Sequence, residues 1–139
     1  LSLDTALRGK PYQCEFLKLD TQGTEYEILT GALRTLRDYT AAIYCEVEFA
    51  KIYRGQRLFG DIEILLRRYG FSFIGFDNMS YRSRTPGKGR ERLLHADELF
   101  IKDPIEQALT PRQNAVAAMA CLLCGYDDFA KEIMDECLF

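Results

Sequence analysis

The chain reads as an α/β domain with a helical extension, and three observations predict it. Short apolar or aromatic runs alternate with amphipathic helical stretches from Cys14 to Phe76, the succession that builds parallel strands joined by helical crossovers. The connection after the third run has no helical period, so the next strand is expected to return antiparallel. Beyond Pro104 only helical periodicity remains, which predicts a hairpin of two short helices.

Leu1 to Arg8 reads as the tail of a preceding element, so the sequence is expected to be a piece of a longer protein. Cys14 to Asp20 is the first strand. From Thr24 to Asp38 the apolar positions Ile28, Leu29, Ala32, Leu33 and Leu36 recur at helical spacing. Glu25 and Glu27 in the first turn and Arg34 and Arg37 near the end suit the helix dipole. Ala41 to Phe49 is a second strand, apolar except for Glu46 and Glu48. Leu58, Ile62, Leu65, Leu66 and Tyr69 mark a helix stopped by Gly70, and Phe71 to Phe76 is the third strand.

Asp77 to Arg92 reads as a loop rich in Arg, Ser, Gly and Pro, leading to a last strand at Glu98 to Lys102. Thr110-Pro111 is a cap followed by a first-turn proline, opening a helix whose stripe of Val116, Met119, Ala120 and Leu123 ends at Gly125. Asp127 is expected to cap a second helix carrying Phe129, Ile133 and Cys137. The organisation is therefore an α/β unit over 1–103 and a helical hairpin over 104–139.

Composition narrows the function classes. The 139 residues suit one domain, and 47% hydrophobic with 28% charged residues is globular rather than disordered. A net charge of −3 gives no general pull toward nucleic acid or an anionic membrane. There is no run of ~18 apolar residues and no basic-then-apolar amino end, so a cytoplasmic protein is expected. The five cysteines lie mostly inside apolar segments and read as reduced, buried thiols. Cys121 and Cys124 have redox spacing but stand at a helix carbonyl end, which disfavours a thiolate. No second close pair exists to complete a zinc site.

The chemistry-bearing residues gather at strand ends. Asp20 closes the first strand before a glycine turn, and in open α/β sheets ligands bind outside the carboxyl ends of the strands. Its alternative use is to cap the following helix. Glu46 and Glu48 alternate with Cys45 and Val47 and so share one side of their strand. They either project into the crevice beside Asp20, where three carboxylates could hold a divalent ion, or pair with Arg54 or Arg57. Arg82, Arg84, Lys88, Arg90 and Arg92 crowd one connection. That connection is a solvated loop or the receptor of an acceptor phosphate or carboxylate. His95, the sole histidine, is expected to make a structural hydrogen bond.

Several ordered stretches closely resemble the FkbM family of S-adenosylmethionine-dependent methyltransferases. They are Leu3-Asp4, the run Phe16-Leu-Lys-Leu-Asp20 with Gly23, and Leu29-Thr-Gly31-Ala32. Further along follow Tyr44-Cys-Glu46-Val-Glu48-Phe49, Tyr53-Arg-Gly55-Gln56 and Ala96-Asp97-Glu98-Leu99-Phe100. The resemblance implies the carboxyl-terminal half of a Rossmann-like methyltransferase domain, its strands corresponding to 4, 5, 7 and 6 of the usual seven with the last antiparallel. It implies transfer of a methyl group from S-adenosylmethionine to a hydroxyl of a sugar or other small molecule. Asp20 and Glu46 become the candidate catalytic acids, and Gln22, Gly23, Glu25, Glu48 and Tyr53 the candidate acceptor-binding residues.

The family's cofactor half carries a glycine-rich turn after its first strand, and nothing before Phe16 supplies one. The chain alone is therefore not expected to bind S-adenosylmethionine well, and no metal ligand set is assigned. The alternative is a non-catalytic module of methyltransferase-like shape. It would pair with a second copy or a partner through the edge strand at Cys14 to Asp20 or through the helical tail.

Overall fold

The computed structural model describes residues 1–138. Ten elements follow in order: α1 (Leu3–Ala6), β1 (Phe16–Leu19), α2 (Glu25–Thr30), α3 (Leu33–Asp38), β2 (Ala42–Glu48), α4 (Phe59–Arg67), β3 (Ser72–Arg82), β4 (Arg92–Ile101), α5 (Pro111–Leu123) and α6 (Asp127–Cys137). The four strands form one sheet in the order β1-β2-β4-β3. β1 and β2 are parallel, and β4 lies antiparallel between β2 and β3. The last strand thus returns antiparallel, as its helix-free connection predicts, and fills the gap that the α4 crossover leaves between β2 and β3.

Both faces of the sheet are covered, which makes three layers. On one face Leu29, Ala32 and Leu36 of α2–α3 and Ile62 and Leu66 of α4 pack on Leu17, Leu19, Ile43, Cys45, Val47 and Phe100. On the other, Ala117, Ala120 and Cys121 of α5 and Ala130 and Ile133 of α6 pack on Ala42, Leu99 and Ile101. The second seam is lined by small residues, so the hairpin lies close to the sheet. At Gly75 an added Cβ would fall 2.1 Å from the Tyr126 hydroxyl oxygen. The hairpin begins as predicted: the Thr110 hydroxyl accepts from Gln113 N, Pro111 opens α5, and Gly125 takes the left-handed turn at φ 79°.

One element is added at the amino end, and three expectations are corrected. Leu1 to Arg8 holds a short helix of its own, capped by Ser2, whose Asp4 carboxylate accepts from Arg34 N, Thr35 N and the Thr35 hydroxyl. It thereby supplies the cap that the amino end of α3 lacks, because the helical pattern from Thr24 to Asp38 is broken at Gly31-Ala32 into α2 and α3. The basic connection is shorter than it reads. Asp77 to Arg82 continues β3 and Arg92 begins β4, so the strands extend as a bulged hairpin whose loop is only 83–91. Alternating polarity hid those strand ends because the sheet there has lost its helical cover. Finally, Tyr126 rather than Asp127 is the N-cap of α6, with Asp127 in its first turn.

The five cysteines are free thiols. Burial raises the Cys121 pKa to about 11 and raises that of Cys124 as well. Among the described residues no helix is long and apolar enough to cross a membrane.

Candidate functional site

The sheet's switch from parallel to antiparallel pairing falls at β2, and the acids of the sequence collect beside its carboxyl end. β1 ends at Leu19, and the chain turns through Gln22 (φ 59°) and Gly23 (φ 105°) into α2. Glycine is required here twice over. Its φ disfavours any side chain, and a Cβ at Gly23 would lie 2.8 Å from Gln56 Nε2 and 3.1 Å from the Tyr53 ring.

Glu25 builds this turn. Its carboxylate is 1% exposed and accepts from Thr21 N (2.6 Å), the Thr21 hydroxyl (2.9 Å) and Gly23 N (2.9 Å). The backward-reaching carboxylate satisfies amides that the start of α2 would otherwise leave bare. Capping of the helix thus falls to Glu25 and leaves Asp20 free of that duty.

Asp20, exposed at the mouth, lies 3.6 Å from Lys18 Nζ and accepts from Gln22 Nε2 at 3.1 Å. The same Gln22 amide donates to Glu46 Oε2 at 2.9 Å, so one side chain ties the end of β1 to the end of β2. On its other oxygen Glu46 meets His95 Nδ1 at 3.1 Å. Burial raises the Glu46 pKa against the lowering effect of His95, and Asp20, Glu25 and Asp97 raise it further. Glu48 is 3% exposed, and its pKa is pushed up to about 7, first by burial and then by Glu25 and Glu46. Gln56 beside it pulls the other way, although its Nε2 completes no hydrogen bond among the described residues.

An open cleft of about 280 Å³ adjoins this array, lined by Gln22, Gly23, Glu27, Tyr53, Arg54 and Gln56. Gln56 Oε1 accepts from Ile52 N and Tyr53 N, which fixes the loop that carries the half-exposed Tyr53 ring. Asp20, Gln22 and Glu46 are thus joined directly, and Gly23, Tyr53 and Gln22 face one cleft. Glu25 and Glu48 lie beneath as buried support.

The expected pairing of Glu46 and Glu48 with Arg54 or Arg57 does not form. Arg57 instead lies 3.6 Å from Asp61 and stacks over Tyr26. Among the described residues no group of three or more His, Cys, Asp or Glu is placed to hold a metal ion. His95 is the neighbour of Glu46 that the sequence did not connect to it. The signal was the antiparallel register: once β4 begins at Arg92, His95 stands opposite Glu48 and diagonal to Glu46. The same register brings the Tyr44 hydroxyl to 3.3 Å from Asp77 and 3.4 Å from Asp97, and burial with these acids raises its pKa.

A family model described as the methyltransferase FkbM domain matches residues 1–73, just over half the chain. The matched span contains Asp20, Gln22, Glu46, Glu48 and Tyr53 but stops before β4 and His95. No curated protein and no solved structure matches the chain.

Proposed function

The chain belongs to the FkbM methyltransferase family, and from that membership we propose that it forms the acceptor side of an S-adenosylmethionine-dependent O-methyltransferase. The acceptor is a hydroxyl on a sugar or similar small molecule. The observation that carries this reading is the Gln22 amide joining Asp20 to Glu46 at adjacent strand ends beside the Tyr53 cleft. Transfer to oxygen asks two things of the acceptor side: that it align the hydroxyl and that it take away the proton. Asp20 is exposed and hydrogen-bonded from one side only, so it can receive a hydroxyl, and the Tyr53 ring offers a face for the ring of a sugar. The strand order supports a Rossmann-like assignment in which β1, β2, β4 and β3 take the places 4, 5, 7 and 6.

The turn between β1 and α2 offers the cofactor no phosphate-type or carboxylate-type cradle. This glycine turn has its Thr21 and Gly23 amides donated to Glu25, leaving no vacant pair of N–H groups there. The turn is therefore assigned to the acceptor side and not to the cofactor.

The test is a calorimetric titration with S-adenosylmethionine and a methyl-transfer assay on the protein encoded by the complete gene. Heat of binding and transfer to a hydroxyl acceptor are expected, and their joint absence would defeat the reading. In that protein Asp20→Asn should lower kcat/KM roughly 10²-fold. Unchanged turnover across pH would reduce Asp20 to a structural acid.

A further inference from the structure

We propose that His95 is the residue that takes the acceptor's proton and that Glu46 is its positioning partner. The proposal rests on the acceptor-side reading above: it leaves Asp20 to align the hydroxyl and moves the base role from the two candidate acids to His95. His95 Nδ1 and Glu46 Oε1 are 3.1 Å apart, within ion-pair reach and close enough for a hydrogen bond to form with a small rotation of the ring. An ionised carboxylate only accepts, so the shared proton belongs to Nδ1. The partner of one ring nitrogen fixes the state of the other, and a neutral ring bound in this way keeps its lone pair on Nε2.

Burial separates the two roles. The Glu46 side chain is 13% exposed and its second oxygen is already taken by Gln22 Nε2, whereas the His95 ring is 31% exposed. The imidazole is thus the more accessible of the two groups to a hydroxyl. Through Gln22 the array continues to Asp20, so imidazole, Glu46, carboxamide and Asp20 form one connected line across β4, β2 and the β1–α2 turn.

The proton step is balanced within these groups. Nε2 forms an N–H bond as the acceptor O–H bond breaks, and the electron pair stays on the acceptor oxygen, which becomes the nucleophile. The imidazolium so formed lies against Glu46. In register His95 also stands opposite Glu48 of β2 and Ser80 of β3. The other charged neighbours of Glu46 are Asp20, Glu25 and Asp97. The charged groups in that ring are acidic, with Lys18 as the cation 3.6 Å from Asp20, and the acids against the imidazole favour the positive charge that forms.

His95 is the only histidine of the chain, which makes the test unambiguous. The 139-residue chain with ¹⁵N-labelled imidazole is read by long-range ¹H–¹⁵N NMR at a pH where the ring is neutral. The proton is expected on Nδ1, with Nε2 bare. A proton resident on Nε2, or a ring that stays doubly protonated until the chain unfolds, overturns the assignment. Glu46→Ala should move the proton predominantly to Nε2, and an unmoved proton removes Glu46 as the positioning residue. Should that variant fail to fold, the unsubstituted chain still decides the tautomer, and Gln22→Ala should leave it on Nδ1.

In the complete protein His95→Asn is expected to cut kcat by about 10²-fold or more with KM changed less than about threefold. An unchanged kcat overturns the proposal. Absence of methyl transfer in the unsubstituted protein instead defeats the acceptor-side reading and leaves the tautomer result standing.

Discussion

Glu25 at the start of α2 and Glu98 in the middle of β4 are both buried, at 1% and 0% exposure, yet among the described residues one carboxylate accepts three hydrogen bonds and the other none. Glu25 reaches back over its own turn, where backbone amides two and four residues away have no strand or helix partner. Glu98 is held in a strand whose backbone groups are spent on the ladders with β2 and β3. Its neighbours in register are Cys45 and Phe76, and neither satisfies a charge. Burial, with Glu63 adding to it, pushes the Glu98 pKa up to about 9. A buried glutamate beside a turn thus organises structure, whereas one in mid-sheet is carried as a neutral acid at a cost.

The contrast can be broken most directly at the turn. Glu25→Ala leaves the Thr21 and Gly23 amides without their acceptor, and a loss of about 3 kcal/mol in urea unfolding is expected. A loss below about 1 kcal/mol would mean that water replaces the carboxylate and that the turn does not depend on it. The opposite sign is expected at Glu98. Its folded pKa lies above the ordinary 4.5, so its full contribution to stability is present below that value and is lost as pH rises through about 9. Glu98→Met, similar in volume and apolar, should match the unsubstituted chain at pH 4 and exceed it by about 2 kcal/mol at pH 8. Destabilisation at pH 8 would show that the carboxylate has a partner in solution.

The same contrast separates what was legible in the sequence from what was not. Strand-helix alternation, the antiparallel return of the last strand and the Thr110-Pro111 helix start are local patterns, and each appears in the fold. Local logic also placed Glu25 in the first turn of a helix. Its capture by Thr21 and Gly23 was not visible, because the backward reach depends on the left-handed backbone at Gln22 and Gly23. Likewise Glu46 and Glu48 shared a face by simple alternation, but their partners came from register. His95 lies 49 residues beyond Glu46, and its place depends on where β4 begins, six residues before the point that hydrophobicity marked. The family match, ending at residue 73, gives no help with that strand. Non-local pairing, bulges included, is what sequence pattern alone leaves open.

Glu48 tests whether the contrast is a division or a scale. It is as buried as the other two, at 3% exposure, but lies beside the site, where Gln56 partly offsets the burial that holds its pKa at about 7. Its folded value again exceeds the ordinary 4.5, so the stability it confers is complete below 4.5 and is lost as pH rises through 7. Glu48→Gln removes that loss, and a gain of about 1 kcal/mol at pH 8, vanishing at pH 4, is expected from urea midpoints. The gain should also stop growing above about pH 7, whereas that of Glu98→Met should go on rising toward pH 9. Curves that level off together would place both carboxylates in equivalent surroundings. Separate plateaus would show that a polar neighbour such as Gln56, even without a completed hydrogen bond, lets a buried acid ionise within the range where a proton-transferring site works.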